Sequence, residues 1–307
     1  MPRPILFALA LTACSGRSAD VGTPTPEPQV TPDPAPVAPA APTAGAAANA
    51  GEAVNRMGLS LMPLLFDGSD RNEIYSPISI SLAFGLLAAG AGGETEAELY
   101  RALNLDPATA DAQMAELMKA ASDLDAREDT ELDIANRVWL DSTLSILDSY
   151  AETSRTQFGA EAERLDFKNA PEPSRQTINT WVSDATQGFI PELFSQGTIT
   201  PETRLTLTNA VYFKADWENE FDPENTADGD FTKVDGTVIQ APMMQQETRL
   251  SYAETDAARV LLMPYKGYQL EFIVVLPNGG DLATAMSTLT AEALEEWSRT
   301  AQPHLVD

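Results

Sequence analysis

Few side chains in this sequence could serve as a nucleophile, a base or a metal ligand. The chain contains one histidine, His304, and one cysteine, Cys14. A single histidine argues against histidine-based catalytic triads and paired-histidine zinc centres. A single cysteine excludes a disulfide framework and multi-cysteine zinc sites. The sequence therefore predicts no enzymatic activity, no metal site and no cofactor.

Serines and carboxylates offer no clearer active site. Ser76 and Ser79 lie near an apolar segment without an accompanying base, and Ser76 followed by Pro77 is a typical start of a helix. Acidic pairs occur throughout the chain, so none stands out as an acid–base couple. The sequence also lacks a phosphate-binding glycine loop, a dinucleotide-binding glycine motif and a G-x-S-x-G turn.

The charge of the chain narrows the classes of partner. Its 46 acidic and 19 basic residues give a net charge of −27 at pH 7. This balance argues against nucleic-acid binding, because phosphate contacts need clustered Lys and Arg. An acidic surface favours a basic partner only weakly, and it is also a common solubility trait.

The first 14 residues have the pattern of an export signal. Arg3 supplies a positive charge, an apolar run covers residues 5 to 11, and small residues follow. The end of this segment, Leu11-Thr12-Ala13-Cys14, resembles the lipobox of bacterial lipoproteins. The resemblance implies export, cleavage and a lipid anchor on Cys14, with the protein facing the periplasm or the cell exterior. The alternative for a lone cysteine is a buried, inert thiol.

Residues 15 to 50 are rich in proline and alanine and contain almost no large apolar side chains. Proline fixes φ and removes a backbone donor, and this segment has little to bury. We expect a disordered tether that holds a domain at residues 51 to 307 away from the membrane.

Hydrophobic spacing predicts helices in the first part of that domain. Apolar residues recur at helical spacing between residues 53 and 65, and Ser76-Pro77 opens a helix that is almost wholly apolar. Thr95 and Glu98 have the spacing of a capping box for a third, short helix.

Two predicted strands each carry an asparagine in an apolar row. Asn136 lies on the apolar face of residues 132 to 140, and Asn209 lies on that of residues 205 to 213. A buried amide needs hydrogen-bond partners, so these asparagines either pin the strand register or form a polar latch in a sheet that must open. A helix is predicted between them at residues 171 to 187. Helices and strands do not alternate regularly along the chain, and this order predicts an α+β fold.

Several motifs in the domain occur in an order known from one protein family. The motifs are Ser76-Pro77-x-Ser79-Ile80, Ile134-Ala-Asn136, Ile178-Asn179-x-Trp181-Val182-x-x-x-Thr186-x-Gly188, Thr203-Arg-Leu-Thr-Leu-Thr-Asn209-Ala-Val-Tyr212-Phe213-Lys214-Ala-Asp-Trp217-x-x-x-Phe221 and Met263-Pro264-Tyr265. Together they resemble the serpins, a family of serine protease inhibitors, over the whole domain.

The resemblance implies a serpin fold of helices and three β-sheets, and a monomer that inhibits as a suicide substrate. In that family a protease, mostly of the serine class and sometimes of the cysteine class, attacks an exposed loop and forms an acyl-enzyme. The cleaved loop then inserts into the main sheet as a new strand, and the distorted protease stalls.

The resemblance also assigns roles to individual residues. Shutter residues lie beneath the sheet where strands must part, breach residues lie where the loop enters, and one helix covers the sheet and must move aside. The matching residues are Ser76, Ser79 and Asn209 for the shutter, Trp217 and Phe221 for the breach, and Asn179, Trp181 and Thr186 for the sheet-covering helix.

The sequence departs from the family at its C-terminal end. No reactive loop, glutamate hinge or scissile bond follows the last motif, and the histidine of the family's shutter is missing. We expect a serpin fold that is incomplete at the C-terminus, inactive as given and unstable, since unpaired strand edges invite aggregation. His304 is expected on the surface. The alternatives are a non-inhibitory binding or structural protein on the same scaffold, or an inactive truncated fragment.

Overall fold

The computed structural model describes the backbone of residues 5–14 and the residues 47–65, 74–233, 235–278, 286 and 289–306. Within these ranges the helices are α1 (Ala50–Leu65), α2 (Pro77–Ala88), α3 (Gly93–Ala102), α4 (Ala110–Asp125), α5 (Asp148–Phe158), α6 (Pro171–Ala185) and α7 (Ala291–Thr300). The strands are β1 (Ile5–Cys14), β2 (Thr130–Asp141), β3 (Ala160–Leu165), β4 (Thr203–Ala215), β5 (Ala227–Thr232), β6 (Val238–Met243), β7 (Thr248–Glu254), β8 (Ala258–Pro264), β9 (Glu271–Pro277) and β10 (Gln302–Val306).

The central sheet has the strand order β1-β4-β2-β3. β2 and β4 are antiparallel, and β2 and β3 are parallel. The two strands that the sequence predicts at residues 132 to 140 and 205 to 213 are confirmed as the long neighbours β2 and β4. Their register places Asn136 directly opposite Asn209.

The outer edge of β4 is paired with β1, which was not expected. β1 runs antiparallel to β4 from the pair Ile5–Phe213 to the pair Cys14–Thr203, with a shift in register between Ala13 and Cys14. The segment that has the pattern of an export signal thus extends the central sheet, and its assignment as a signal stays a prediction. Residues 15 to 46 of the tether predicted at residues 15 to 50 lie outside the described residues.

The main core lies between the central sheet and the helices on one of its faces. Its buried side chains include Leu82 and Leu86 of α2, Val138 of β2, Phe158 of α5 and Leu207 of β4. α2 begins as predicted, with Ser76 as its N-cap and Pro77 in the first turn. An apolar helix in this position packs the face of the sheet on which both strand asparagines lie.

The capping box predicted at Thr95 and Glu98 is wrong. The observed N-cap of α3 is three residues earlier, at Gly92, which is extended and makes no side-chain cap, and the helix begins at Gly93. Gly93 has a φ of +67°, a left-handed value that glycine adopts without steric cost. The glycines therefore set the start of the helix, and Thr95 falls inside its first turn.

A second core lies on the opposite face of the sheet, beneath α6. It joins Ile178 and Val182 of α6 to Trp139 of β2, with Phe194 and Ile199 from the connection between α6 and β4. α6 was predicted from helical spacing at residues 171 to 187 and is observed at Pro171–Ala185. α6 packs across β2 and β4, and the segment that connects α6 to β4 packs in the same cluster.

The second half of the chain forms a separate sheet in the order β10-β7-β8-β9 and the hairpin β5–β6. α7 packs on this sheet through Trp297, which contacts the cluster of Val260 and Leu262. One face of β9 is half-exposed at Phe272, Val274 and Leu276. His304 on β10 is exposed, as the sequence predicted.

Candidate functional site

A pair of buried asparagines joins the two central strands. Asn209 Nδ2 donates to Asn136 Oδ1 at 2.7 Å, and Asn136 Nδ2 donates to the carbonyl oxygen of Phe158 at 2.8 Å. The exposed fraction is 5% for Asn136 and zero for Asn209. The sequence predicted that each amide must meet specific partners, and the structure shows that they meet each other. The pair fixes the register of β2 and β4 and links both to the end of α5.

Several buried polar atoms of α2 and β4 lack a hydrogen-bond partner among the described residues. They are Ser79 Oγ, Ser81 Oγ, Thr206 Oγ1 and Asn209 Oδ1. Ser76 Oγ accepts a hydrogen bond from the Ser79 backbone N–H at 3.3 Å, so it serves as the helix cap. Each unpaired buried polar group costs about 1–3 kcal/mol. Ser76 and Ser79 lie at the start of α2, and Asn209 lies on β4, against which α2 packs, so two neighbouring elements carry the three predicted shutter residues.

An aromatic cluster lies beyond the end of β4. Trp217 stacks on Tyr265 with 4.5 Å between ring centroids and 9° between planes, and Phe221 meets Trp217 edge-on at 6.4 Å. Phe213 of β4 and Phe272 of β9 complete the cluster around these rings. The structure thus brings together the two predicted breach residues. It adds Tyr265, whose own motif Met263-Pro264-Tyr265 was the available signal.

Charged groups beside this end of β4 influence one another. Lys214 pairs with Glu131, and the hydrogen bond from that ammonium lowers the pKa of the Glu131 carboxyl. Burial, together with the nearby carboxylates of Asp125 and Glu131, raises the pKa of Asp133. Burial also raises the pKa of Tyr212. β2 and β4 are therefore joined at this end by an ion pair as well as by the sheet.

The predicted sheet-covering helix is held to its own connection by polar side chains. Asn179 Oδ1 accepts from the backbone N–H groups of Leu193 at 3.1 Å and Phe194 at 2.9 Å, and its Nδ2 donates to the Phe194 carbonyl at 2.9 Å. Thr186 Oγ1 donates to the Val182 carbonyl at 2.7 Å and accepts from the Ile190 N–H at 3.1 Å. These bonds make α6 and its connection one unit.

Two arginines of this region were not singled out from the sequence. Arg175 of α6 binds Glu172 and Glu192 and also donates to the Phe194 carbonyl at 2.6 Å. Arg137 of β2 lies against the rings of Trp139 and Trp181. Neither arginine belongs to a recognisable motif, so only their places in the fold reveal their roles.

Other site classes find no support in the part of the chain that the structure describes. Within it, no group of His, Cys, Asp and Glu side chains is arranged to hold a metal ion. No helix in this described part is both long enough and apolar enough to cross a bilayer. Cys14 is the last residue of β1, and its role as a lipid attachment site stays a prediction.

Comparison with known proteins identifies the family. Residues 52–307 match the family model "Serpin (serine protease inhibitor)". Antithrombin-III of Mus musculus is 37% identical over 237 residues, which cover 75% of this chain and 51% of that protein. Serpin B4 of Homo sapiens is 36% identical over 247 residues, with 75% and 63% covered. The chain therefore belongs to the serpin family, a family of protease inhibitors.

A solved structure confirms the fold. Ovalbumin from emu (Dromaius novaehollandiae) superimposes with a TM-score of 0.78 at 22% identity, covering 84% of this chain and 72% of that one. The predicted α+β class and the serpin fold are thus confirmed. The chain spans about half to two thirds of the length of the curated relatives that it matches.

Proposed function

We propose that this protein inhibits serine-type endopeptidases by taking a cleaved loop into its central sheet as a strand beside β4. Cysteine proteases are the second class of target. The observation that carries the proposal is the pairing of β4 with β1. A segment from the far end of the chain occupies the outer edge of β4 over ten pairs, in antiparallel orientation. An edge that accepts a remote strand along its length has the property that strand insertion needs.

In the proposed inhibition, the protease supplies the nucleophile and the catalytic groups. Its serine hydroxyl attacks the carbonyl carbon of the scissile peptide bond, the new amine leaves with a proton, and an ester joins the two proteins. The inhibitor then moves the esterified loop away from its starting point by adding it to the sheet. Distortion of the protease active site stops the ester from being hydrolysed.

The partly satisfied contact beneath β4 supports this step energetically. Ser79 Oγ and Asn209 Oδ1 are buried and have no partner among the described residues. A strand that brings a donor or an ordered water to these atoms would recover about 1–3 kcal/mol for each one.

The inhibitory step needs a reactive loop, which residues 1 to 307 do not contain in the form known from serpins. We therefore propose that these residues provide the sheet, and that they form no covalent complex by themselves. The activity of a whole protein that carries a loop is part of this proposal. A serpin-fold protein that binds or supports other molecules without inhibiting is the second candidate, and the same experiment decides between them.

We expect a form of the protein that carries a reactive loop, the complete product, to form an SDS-resistant complex with at least one serine protease. The test incubates it with trypsin-like, chymotrypsin-like, elastase-like and papain-like proteases and follows a band of the combined mass on denaturing gels. The 307-residue chain serves as the control and is expected to be cleaved without complex formation. If the complete product is cleaved by every protease without any complex, the inhibitory proposal is wrong and the non-inhibitory candidate stands.

We further propose that the protein is exported and anchored through a lipid on Cys14, because of the signal-like pattern before this residue. Replacement of Cys14 by serine is expected to move the protein from the membrane fraction to the soluble fraction and to abolish labelling by a fatty acid. Equal membrane association of C14S and wild type would contradict the anchor. Cleavage before Cys14 would also remove residues 5 to 13 and free the outer edge of β4.

A further inference from the structure

Arg137 connects α6 with the strands beneath it. Neighbouring residues of a strand point to opposite faces, so Arg137 lies on the face opposite Asn136 and beneath α6. Its guanidinium carbon is 5.2 Å from the ring centroid of Trp181 on α6 and 5.3 Å from that of Trp139 on β2. Both distances fall within the range of cation–π attraction. The two indole rings also meet edge-on at 5.7 Å.

Carboxylates on the edge strand β3 hold the guanidinium in this position. Arg137 Nη1 lies 2.8 Å from Glu163 Oε2, and its Nη2 lies 3.7 Å from Glu161 Oε2. The side chains of Arg137, Glu163 and Glu161 are 24%, 41% and 75% exposed, so water weakens the pair with Glu163 in part and the pair with Glu161 strongly. Trp139 Nε1 in turn donates to Thr208 Oγ1 of β4 at 2.9 Å. A continuous set of contacts therefore runs from α6 through Arg137 to β2, β3 and β4.

The flank of α6 next to β3 has little other attachment. An open cleft of about 580 Å³ separates the helix from the strands there. Thr177, Thr180 and Asp184 line it from α6 and are exposed, and Glu163 lines it from β3. Solvent reaches the side of α6 next to β3, whereas the apolar side chains of the second core hold the opposite side of α6 to the sheet. Arg137 and Trp181 thus close the side of α6 that would otherwise open first.

We propose that Arg137 is a positioning residue that keeps α6 on the sheet and thereby limits how fast a strand can be added beside β4. The second part of this inference rests on the proposed function. α6 and its connection form one unit through Asn179 and Arg175, and that unit leads directly into β4. When the contacts of Arg137 break, the β3 side of this unit loses its polar attachment, and the apolar contacts of the second core still hold the unit to β2.

Hydrogen exchange in the full 307-residue chain tests the positioning role. Arg137→Met keeps the apolar stem and removes the charge, and it is expected to raise the exchange rates of amides 177 to 185 about tenfold. Arg137→Lys, which keeps the charge but not the planar group, is expected to fall between methionine and wild type. Arg155→Met is the matched control, because Arg155 forms an exposed pair with Glu152 on α5.

The pattern of exchange separates positioning from general stability. Amides of α2 should change less than about twofold in Arg137→Met, since α2 lies on the other face of the sheet. Unchanged exchange in α6, or an equal rise in α2 and α6, would overturn the inference. In the complete product, Arg137→Met should form the protease complex faster than wild type. Absence of any complex with wild type contradicts the proposed function, whereas the exchange of α6 decides the role of Arg137 independently.

Discussion

Replacement of Asn136 by leucine is expected to lower the free energy of unfolding by about 2–5 kcal/mol. The substitution leaves two buried groups without partners, the Asn209 Nδ2 donor and the Phe158 carbonyl. Leucine has the same branched shape and a larger volume, so the loss does not come from a cavity. Urea unfolding followed by tryptophan fluorescence measures the change, since the chain has four tryptophans.

The double variant Asn136→Leu/Asn209→Leu is the informative control. It removes the Asn209 Nδ2 donor that Asn136→Leu leaves unpaired, and also the Asn209 oxygen that has no partner in the described structure. We expect it to be more stable than Asn136→Leu alone, because two contacting residues are not additive. Asn225→Ala, at an exposed position, should change stability by less than about 0.5 kcal/mol. A double variant that loses the sum of two single losses would contradict the direct pairing.

Replacement of Asn179 by alanine is expected to cost about 2–4 kcal/mol and to loosen the connection between α6 and β4. Its side chain makes three hydrogen bonds to the backbone of Leu193 and Phe194, and alanine makes none of them. Two N–H groups would lose their partner, whereas the Phe194 carbonyl would keep the bond from Arg175. Limited proteolysis should therefore cut residues 186 to 202 faster, and the melting temperature should fall.

Asn179→Asp separates the two halves of this interaction. Aspartate keeps an acceptor for both N–H groups, but it replaces the donor to the Phe194 carbonyl with an oxygen. We expect about half the loss of Asn179→Ala and little change in the rate of cleavage. Equal rates of cleavage in the alanine and aspartate variants would show that the bonds to the two N–H groups are not what holds the connection.

The elements around the site were predictable because their signals are local. Residues 132 to 140 and 205 to 213 alternate apolar side chains with a period of two, and both proved to be strands of the central sheet. Ser76 and Pro77 mark the start of α2 for reasons of capping and fixed φ. Thr95 gave a false signal because the same four-residue pattern occurs within a helix that adjacent glycines begin.

The contacts within the site were not predictable, because they depend on register between distant segments. Asn136 and Asn209 face each other only when β2 and β4 pair in one register, and a shift by one residue would separate them. Arg137 looks like a surface residue in the sequence and becomes a link only when α6 lies over β2. The pairing of β1 likewise requires the free edge of β4, which no local pattern within residues 5 to 14 indicates.

Hydrogen exchange along β4, before and after reaction with a protease that the screen identifies, tests the central claim most directly. In protein that has been cleaved before Cys14, entry of the cleaved loop beside β4 should strongly protect those amides of residues 203 to 215 that face the outer edge, and the melting temperature of the covalent complex should rise. Unchanged exchange along β4 in a product whose loop has been cleaved would contradict insertion at this edge.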